Sequence, residues 1–237
     1  VDDHEYRDNW HGQADAPEQG YDYARRMAWL FQMHHQQQWD YAGSRLWYDF
    51  SSAGYPFFVF DTRLHRQASA DGDMALMTSE QMQGFIHWLQ QADCPVLFLA
   101  TGSPLAPISR GVCADPATAI YQDSLLAYPD FLVWLVQQLH EHASGKRIIW
   151  LCGDPHFSCF AQLRLSMTAD ADDGAASVQL TQVCASGLYA PMAFVNANAS
   201  DYDWHKEIDL TLEGPAGRQG SQLRIVGRQI LLSNAKQ

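Results

Sequence analysis

A chain of 237 residues is long enough to bury a sizeable core. Hydrophobic residues make up 47% and charged residues 18%, with eight Trp and eleven Phe, which is the composition of a folded domain and excludes a disordered chain. A net charge of −12 opposes binding along a nucleic-acid backbone, and no apolar stretch approaches the ~20 residues that span a bilayer. We expect one domain over residues 1–237.

The chain opens on VDDHEYRDNW, where a secretory signal would be basic and then apolar; so dense a polar opening suits a piece of a longer chain. From Tyr21 to about Tyr41, Ala24, Met27, Ala28 and Phe31 recur at helical spacing, and HHQQQ continues the helix on a polar face. His34 and His35 are adjacent there, so they point about 100° apart and read as surface residues. YPFFVFDTR follows as a buried strand with a polar end, Asp61 and Arg63. After a small loop rich in Gly, Asp and Ala, TSEQ at 78–81 forms a capping box, with Met82, Phe85, Ile86 and Leu89 as the apolar stripe of the helix it opens.

PVLFLATGSP repeats the strand pattern over 95–100, ending in Thr101, Gly102, Ser103 and Pro104, and residues 105–127 read as a long loop. Leu132, Leu135, Val136 and Leu139 predict a helix from about Asp130 to His142, with Gly145 as its stop. RIIWLC is the next strand and leads straight into GDPHFS. SVQLTQVCASG is a fourth strand, ending at Ser186, and EIDLTLEG with QLRIVG around PAGRQGSQ forms an antiparallel hairpin at the sheet edge. The fold class is α/β, with mixed sheet between helices and a C-terminal antiparallel hairpin.

The five cysteines, Cys94, Cys113, Cys152, Cys159 and Cys184, are odd in number and lack a CxxC. They read as small core residues of a reduced protein, which favours a cytoplasmic location.

Ligands of open α/β sheets bind beyond the carboxyl ends of the strands. Those ends carry Asp61 and Arg63, Thr101 and Ser103, Asp154 and His156, and Ser186, a mixture of acids, base, hydroxyls and imidazole suited to a hard or borderline cation. Asp2, Asp3, His4 and Glu5, with Asn9 and Trp10 just after, offer a second cluster of ligating and proton-moving side chains.

DDHEYRDNW, FFVFDTRLHR, SEQMQGFIHWL, VLFLATGSPL and CGDPHFS, in this order over residues 2–158, resemble the alkaline phosphatase D family of metallophosphoesterases in the calcineurin-like superfamily. The resemblance implies a partial calcineurin-like fold and hydrolysis of a small phosphomonoester or phosphodiester by a metal-activated hydroxide. It implies two or more divalent or trivalent ions, of iron, calcium, manganese or zinc. Asp3, Asp154 and His156 fall at metal-ligand places, His4 at that of the acid protonating the leaving oxygen, and Glu5 at that of its orienting partner. Arg63 becomes a phosphate-binding or ion-pair residue, with Asp61 beside it and Asp2 and Asn9 behind the ligands.

The family's first metal motifs precede DDHE, so the resemblance makes this chain the C-terminal portion of a longer one, with weak metal binding and little hydrolysis by itself. Gly102, Ser103 and Pro104 lack the metal-binding His of the wider superfamily, as in the family itself, and Pro155 stands where many relatives carry a β-branched residue. Export is common among such relatives, in opposition to the cytoplasmic reading from the thiols. The alternative is a non-catalytic remnant or interaction module of the same fold, binding a partner through Trp29, Trp39, Trp47, Trp88 and Trp204, although helical aromatic stripes favour the core for most of these. A serine hydrolase finds no GxSxG elbow, since neither TGSPL nor CASGL supplies both glycines.

Overall fold

The computed structural model describes residues 19–33, 45–63, 67–68, 74–105, 124–153, 158–168, 176–185, 204–213 and 222–233. Ten strands and three α-helices are described in chain order. They are α1 (Gln19–Ala28), β1 (Tyr48–Ser52), β2 (Tyr55–Val59), β3 (Gln67–Ala68), β4 (Met74–Ala75), α2 (Ser79–Gln91), β5 (Val96–Thr101), α3 (Pro129–His142), β6 (Arg147–Cys152), β7 (Ser158–Thr168), β8 (Ser177–Ala185), β9 (Trp204–Glu213) and β10 (Gln222–Ser233). Eight strands form one mixed sheet in the order β1-β2-β5-β6-β8-β7-β10-β9, and β3 and β4 pair as a separate two-stranded sheet inside what the sequence suggests is a loop.

The centre of the large sheet is parallel, β2-β5-β6-β8, and both flanks are antiparallel. The expected C-terminal hairpin is β9–β10, with β9 at the edge. β7 was not expected. Ala161, Leu163 and Leu165 are buried while Gln162 and Arg164 are exposed, the two-residue alternation of a strand covered on one face. β1 is also additional, joined to β2 through Ala53 and Gly54 with φ of 51° and 83°. Two positive φ values in a two-residue loop match the twist of the flanking strands.

One face of the sheet carries Phe58, Phe60, Leu97, Leu99, Ile148, Trp150, Leu163, Leu165, Leu180 and Ile225, all buried under α2 and α3. Each such large side chain taken out of water contributes roughly 1.5–3 kcal/mol. The centre of this layer is aromatic: Phe60 lies 4.9 Å from Phe85 and 5.8 Å from Trp150, and Phe58 lies 5.1 Å from Phe85 and 5.5 Å from Trp88. Trp47 stacks on Phe58 at 5.6 Å and lies over Gly84 of α2, where a Cβ would collide with its ring. A mid-helix glycine is therefore required by close approach.

The helices depart from expectation in detail. In α2 the buried positions are Gln81, Phe85, Trp88 and Leu89, with Met82 only partly buried, because Trp88 joins Phe58 in the core. α3 buries Phe131 with the four expected residues, and the chain turns away at Gly145, whose φ is +79°. α1 buries Ala24 and Ala28 but passes into a π-helical turn, Trp29–Met33, whose wider winding rotates later residues off the stripe and leaves Phe31 exposed. His34 and His35 lie outside the described residues.

The opposite face of the sheet also carries apolar side chains. Phe50 stacks on Phe57 at 4.7 Å and Phe57 on Phe98 at 4.5 Å, with Phe50 37% and Tyr55 45% exposed. No described helix is long and apolar enough to cross a membrane.

Candidate functional site

Register places the carboxyl ends of the parallel strands side by side. Val59 pairs with Ala100, Thr101 with Cys152, and Cys152 with Cys184, so the residues following each strand leave the sheet along one rim. The chain after β2 is Phe60, Asp61, Thr62 and Arg63; the chain after β5 is Gly102, Ser103 and Pro104; the chain after β6 begins at Gly153. β7 starts at Ser158 opposite Ala185, on the far side of β8 from β6. Both described flanks of the 154–157 stretch, Gly153 and Ser158, therefore sit on this rim.

The rim between β2 and β5 is a buried polar network. Asp61, Thr62, Arg63, Gln81 and Ser103 are all fully buried. Phe60 N donates to Ala100 O at 2.8 Å, which extends the pairing beyond β2. The Asp61 amide donates to Gln81 Oε1 at 2.8 Å, and Gln81 Nε2 donates to Asp61 O at 2.9 Å, so one carboxamide satisfies both backbone groups of a buried residue. Arg63 N donates to Asp61 Oδ1 at 3.0 Å, the two-residue turn that Asp side chains favour. The Thr62 and Thr101 hydroxyls lie 2.7 Å apart, and Ser103 N donates to Thr101 Oγ1 at 3.2 Å. These bonds fix the two strand ends to each other.

Gln81 was missed as a site residue. The capping box assigns its side chain to the start of its own helix, and half of that pattern forms: Thr78 Oγ1 accepts from Gln81 N at 3.2 Å. The carboxamide instead reaches a strand end twenty residues earlier in the chain, a tertiary partner that a local pattern cannot reveal.

Further along the rim, Gln182 in β8 accepts from Leu105 N at 2.8 Å, and Trp150 Nε1 donates to Ser103 O at 3.4 Å. Cys152, Cys184 and Cys159 stand in one row across β6, β8 and β7, each paired in register with the next. Cross-strand pairs share a face, and all three are buried with the core, as expected of small core cysteines. Cys184 Sγ donates to Gly153 O and Cys152 Sγ to Val183 O, each at 3.8 Å. Cys152 and Cys159 can both donate to the Cys184 thiolate, which lowers its pKa against the opposing effect of burial. Cys159 is pushed up by its bond to Cys184, and further by burial.

Of the site residues expected from sequence, the described structure holds Asp61 and Arg63 and brings them together in this network. Asp2, Asp3, His4, Glu5, Asn9, Asp154 and His156 lie outside the described residues. Among the described residues no group of three or more His, Cys, Asp or Glu could hold a metal ion. Of the Trp considered for a partner surface, Trp47 and Trp88 are core residues and Trp29 is half-buried.

No protein-family model matches the chain, and no curated protein matches it by sequence. A solved structure of PhoD is similar to it, with a TM-score of 0.57 at 15% identity over 99% of this chain. The chain spans 54% of the length of that PhoD chain. Its fold is thus PhoD-like: a mixed sheet with helices and antiparallel C-terminal strands.

Proposed function

We propose that the chain is the C-terminal portion of a metal-dependent phosphoesterase acting on a small phosphomonoester or phosphodiester. The observation that carries this reading is the shared rim of a PhoD-like sheet: the ends of β2, β5 and β6 lie side by side, and β6 runs directly into Gly153 and then Asp154 and His156. Such a rim is where open α/β sheets bind ligands.

The donor set fits a hard or borderline cation, since Asp3 and Asp154 offer carboxylates and His156 an imidazole. When bound, two or more such ions, of iron, calcium, manganese or zinc, supply Lewis-acid polarisation of the phosphoryl oxygens. His4 donates a proton to the leaving oxygen and Glu5 orients its ring, with Asp2 and Asn9 behind the ligands. Asp61 braces the rim through its turn onto Arg63 N. Of the two roles that the resemblance offers Arg63, its complete burial favours the ion pair over direct contact with a phosphate.

The test is hydrolysis of p-nitrophenyl phosphate and bis(p-nitrophenyl) phosphate by the longer chain that this reading implies, with and without chelator. We expect chelator-sensitive activity that falls by about 100-fold or more in His4→Ala, in line with the usual contribution of general acid catalysis. Asp154→Ala should lose metal and activity together. Activity retained in both variants overturns the reading. The 237-residue chain alone should bind metal weakly and turn over little substrate.

A non-catalytic interaction module is the second reading. It draws on the stack of Phe50, Phe57 and Phe98 on the sheet face opposite α2 and α3, where Phe50 is 37% exposed, since exposed apolar patches mark contact surfaces. That reading requires no hydrolysis from the longer chain with any metal.

A further inference from the structure

Three thiols placed in register on one face of three adjacent strands have more chemistry open to them than packing. Cys152 pairs with Cys184 across the parallel β6–β8 ladder, and Cys184 pairs with Cys159 across the antiparallel β8–β7 ladder. Neighbouring strands lie about 4.7–4.9 Å apart, and paired Cα atoms of antiparallel strands about 4.5–5.5 Å apart. Both fall inside the range of about 4.4–6.8 Å that a disulfide spans. The middle sulfur is within reach of either neighbour with no change of register. The same three side chains do not form a metal site, since no described group of three ligating residues has the required arrangement.

We propose that Cys152, Cys184 and Cys159 form a peroxide-responsive site, whose oxidised form is a cross-strand disulfide with Cys184 as one partner. Cys152 is 8% exposed and the other two 1%, so a small oxidant is admitted where bulky disulfide oxidants are excluded. The sulfur of one member of a pair attacks one peroxide oxygen and the O–O bond breaks, giving a sulfenic acid and one water. The sulfur of the other member then displaces the hydroxyl, forming the S–S bond and releasing a second water. Two thiols and one hydrogen peroxide thus become one disulfide and two waters. The third cysteine remains as a thiol able to exchange onto Cys184.

The site has a built-in connection to the strand end. Reduced Cys184 donates its S–H to Gly153 O, the carbonyl that begins the GDPHFS stretch. A disulfide has no S–H, so oxidation removes that donor.

The experiment treats the 237-residue chain with increasing hydrogen peroxide under non-denaturing conditions, blocks remaining thiols, and maps the cysteines by peptide mass spectrometry. The expected result is a peptide pair linked through Cys184 to Cys152 or Cys159, formed at lower peroxide than modification of Cys94 and reversed by dithiothreitol. The double variant Cys94→Ser, Cys113→Ser should form the same linkage. Cys184→Ser should form none, and the wild-type map stands as the decisive result if that variant fails to fold. Disulfides that omit Cys184, irreversible sulfinic or sulfonic acids at Cys152 with no linkage, or oxidation confined to Cys94 and Cys113 would each overturn the proposal.

Discussion

Gln81 holds Asp61 by both ends of its backbone, donating to the carbonyl at 2.9 Å and accepting from the amide at 2.8 Å, with both residues fully buried. Removing the carboxamide leaves a buried N–H and a buried C=O without that partner, and each such group costs about 1–3 kcal/mol. Gln81→Ala should therefore destabilise the chain by roughly 2–6 kcal/mol in urea unfolding. Thr78→Ala, which removes only the N-cap of the same helix, should cost about 1 kcal/mol. Equal effects from the two variants would reduce Gln81 to a local helix-start residue.

Gly84 offers an opposite test of local propensity against packing. In an exposed helix, Gly→Ala stabilises by about 0.8–1.0 kcal/mol. Here the new methyl meets the Trp47 ring, and overpacking of that kind costs typically about 1–3 kcal/mol. Gly84→Ala should lower the thermal midpoint, and the double variant with Trp47→Leu should recover part of the loss. A rise in the midpoint for the single variant would show that Trp47 is not seated against α2.

Ala53 adopts a positive φ that residues other than Gly and Asn rarely take. Asn-Gly is a preferred pair for this two-residue hairpin turn. Ala53→Asn should stabilise the protein by up to about 1 kcal/mol, seen as a higher urea midpoint with unchanged m-value. A neutral or destabilising result would count against the β1–β2 turn as described.

Tyr48 gives the pH dependence. Burial penalises its phenolate and raises the pKa above the usual 10. A group whose folded pKa is raised adds stability that is complete below the unfolded pKa and disappears as pH rises through the folded one. Stability should therefore fall above about pH 10, and Tyr48→Phe should shrink the fall between pH 9.5 and 11.5. Parallel curves for the two proteins would place the alkaline loss elsewhere.

The central strands and two of the helices were legible because their signals are redundant. Apolar runs in β2, β5 and β6 are bounded by polar or Gly/Pro residues, and α2 and α3 combine a stripe with a cap or stop. β7 was not, although Ala161, Leu163 and Leu165 alternate with Gln162 and Arg164, because no Gly or Pro separates Ser158 to Thr168 from the motif before it. β1 was obscured by its turn, where Ala-Gly replaces the more recognisable Asn-Gly. At the site, Asp61 and Arg63 could be anticipated at a strand end, whereas Gln81 and the row of thiols depend on which strands become neighbours. That order is a tertiary property, decided by β8 lying between β6 and β7.

The lane occupied by β8 has a consequence for how the chain is made. β6 and β7 are consecutive in the chain but flank a strand that leaves the ribosome after both of them. A nascent chain ending before residue 177 can pair β5 with β6 but has no neighbour of β6 against which β7 can lie. The candidate rim therefore matures late in synthesis, and until β8 inserts, the Cys152 and Cys159 edges remain unzipped and open to mispairing.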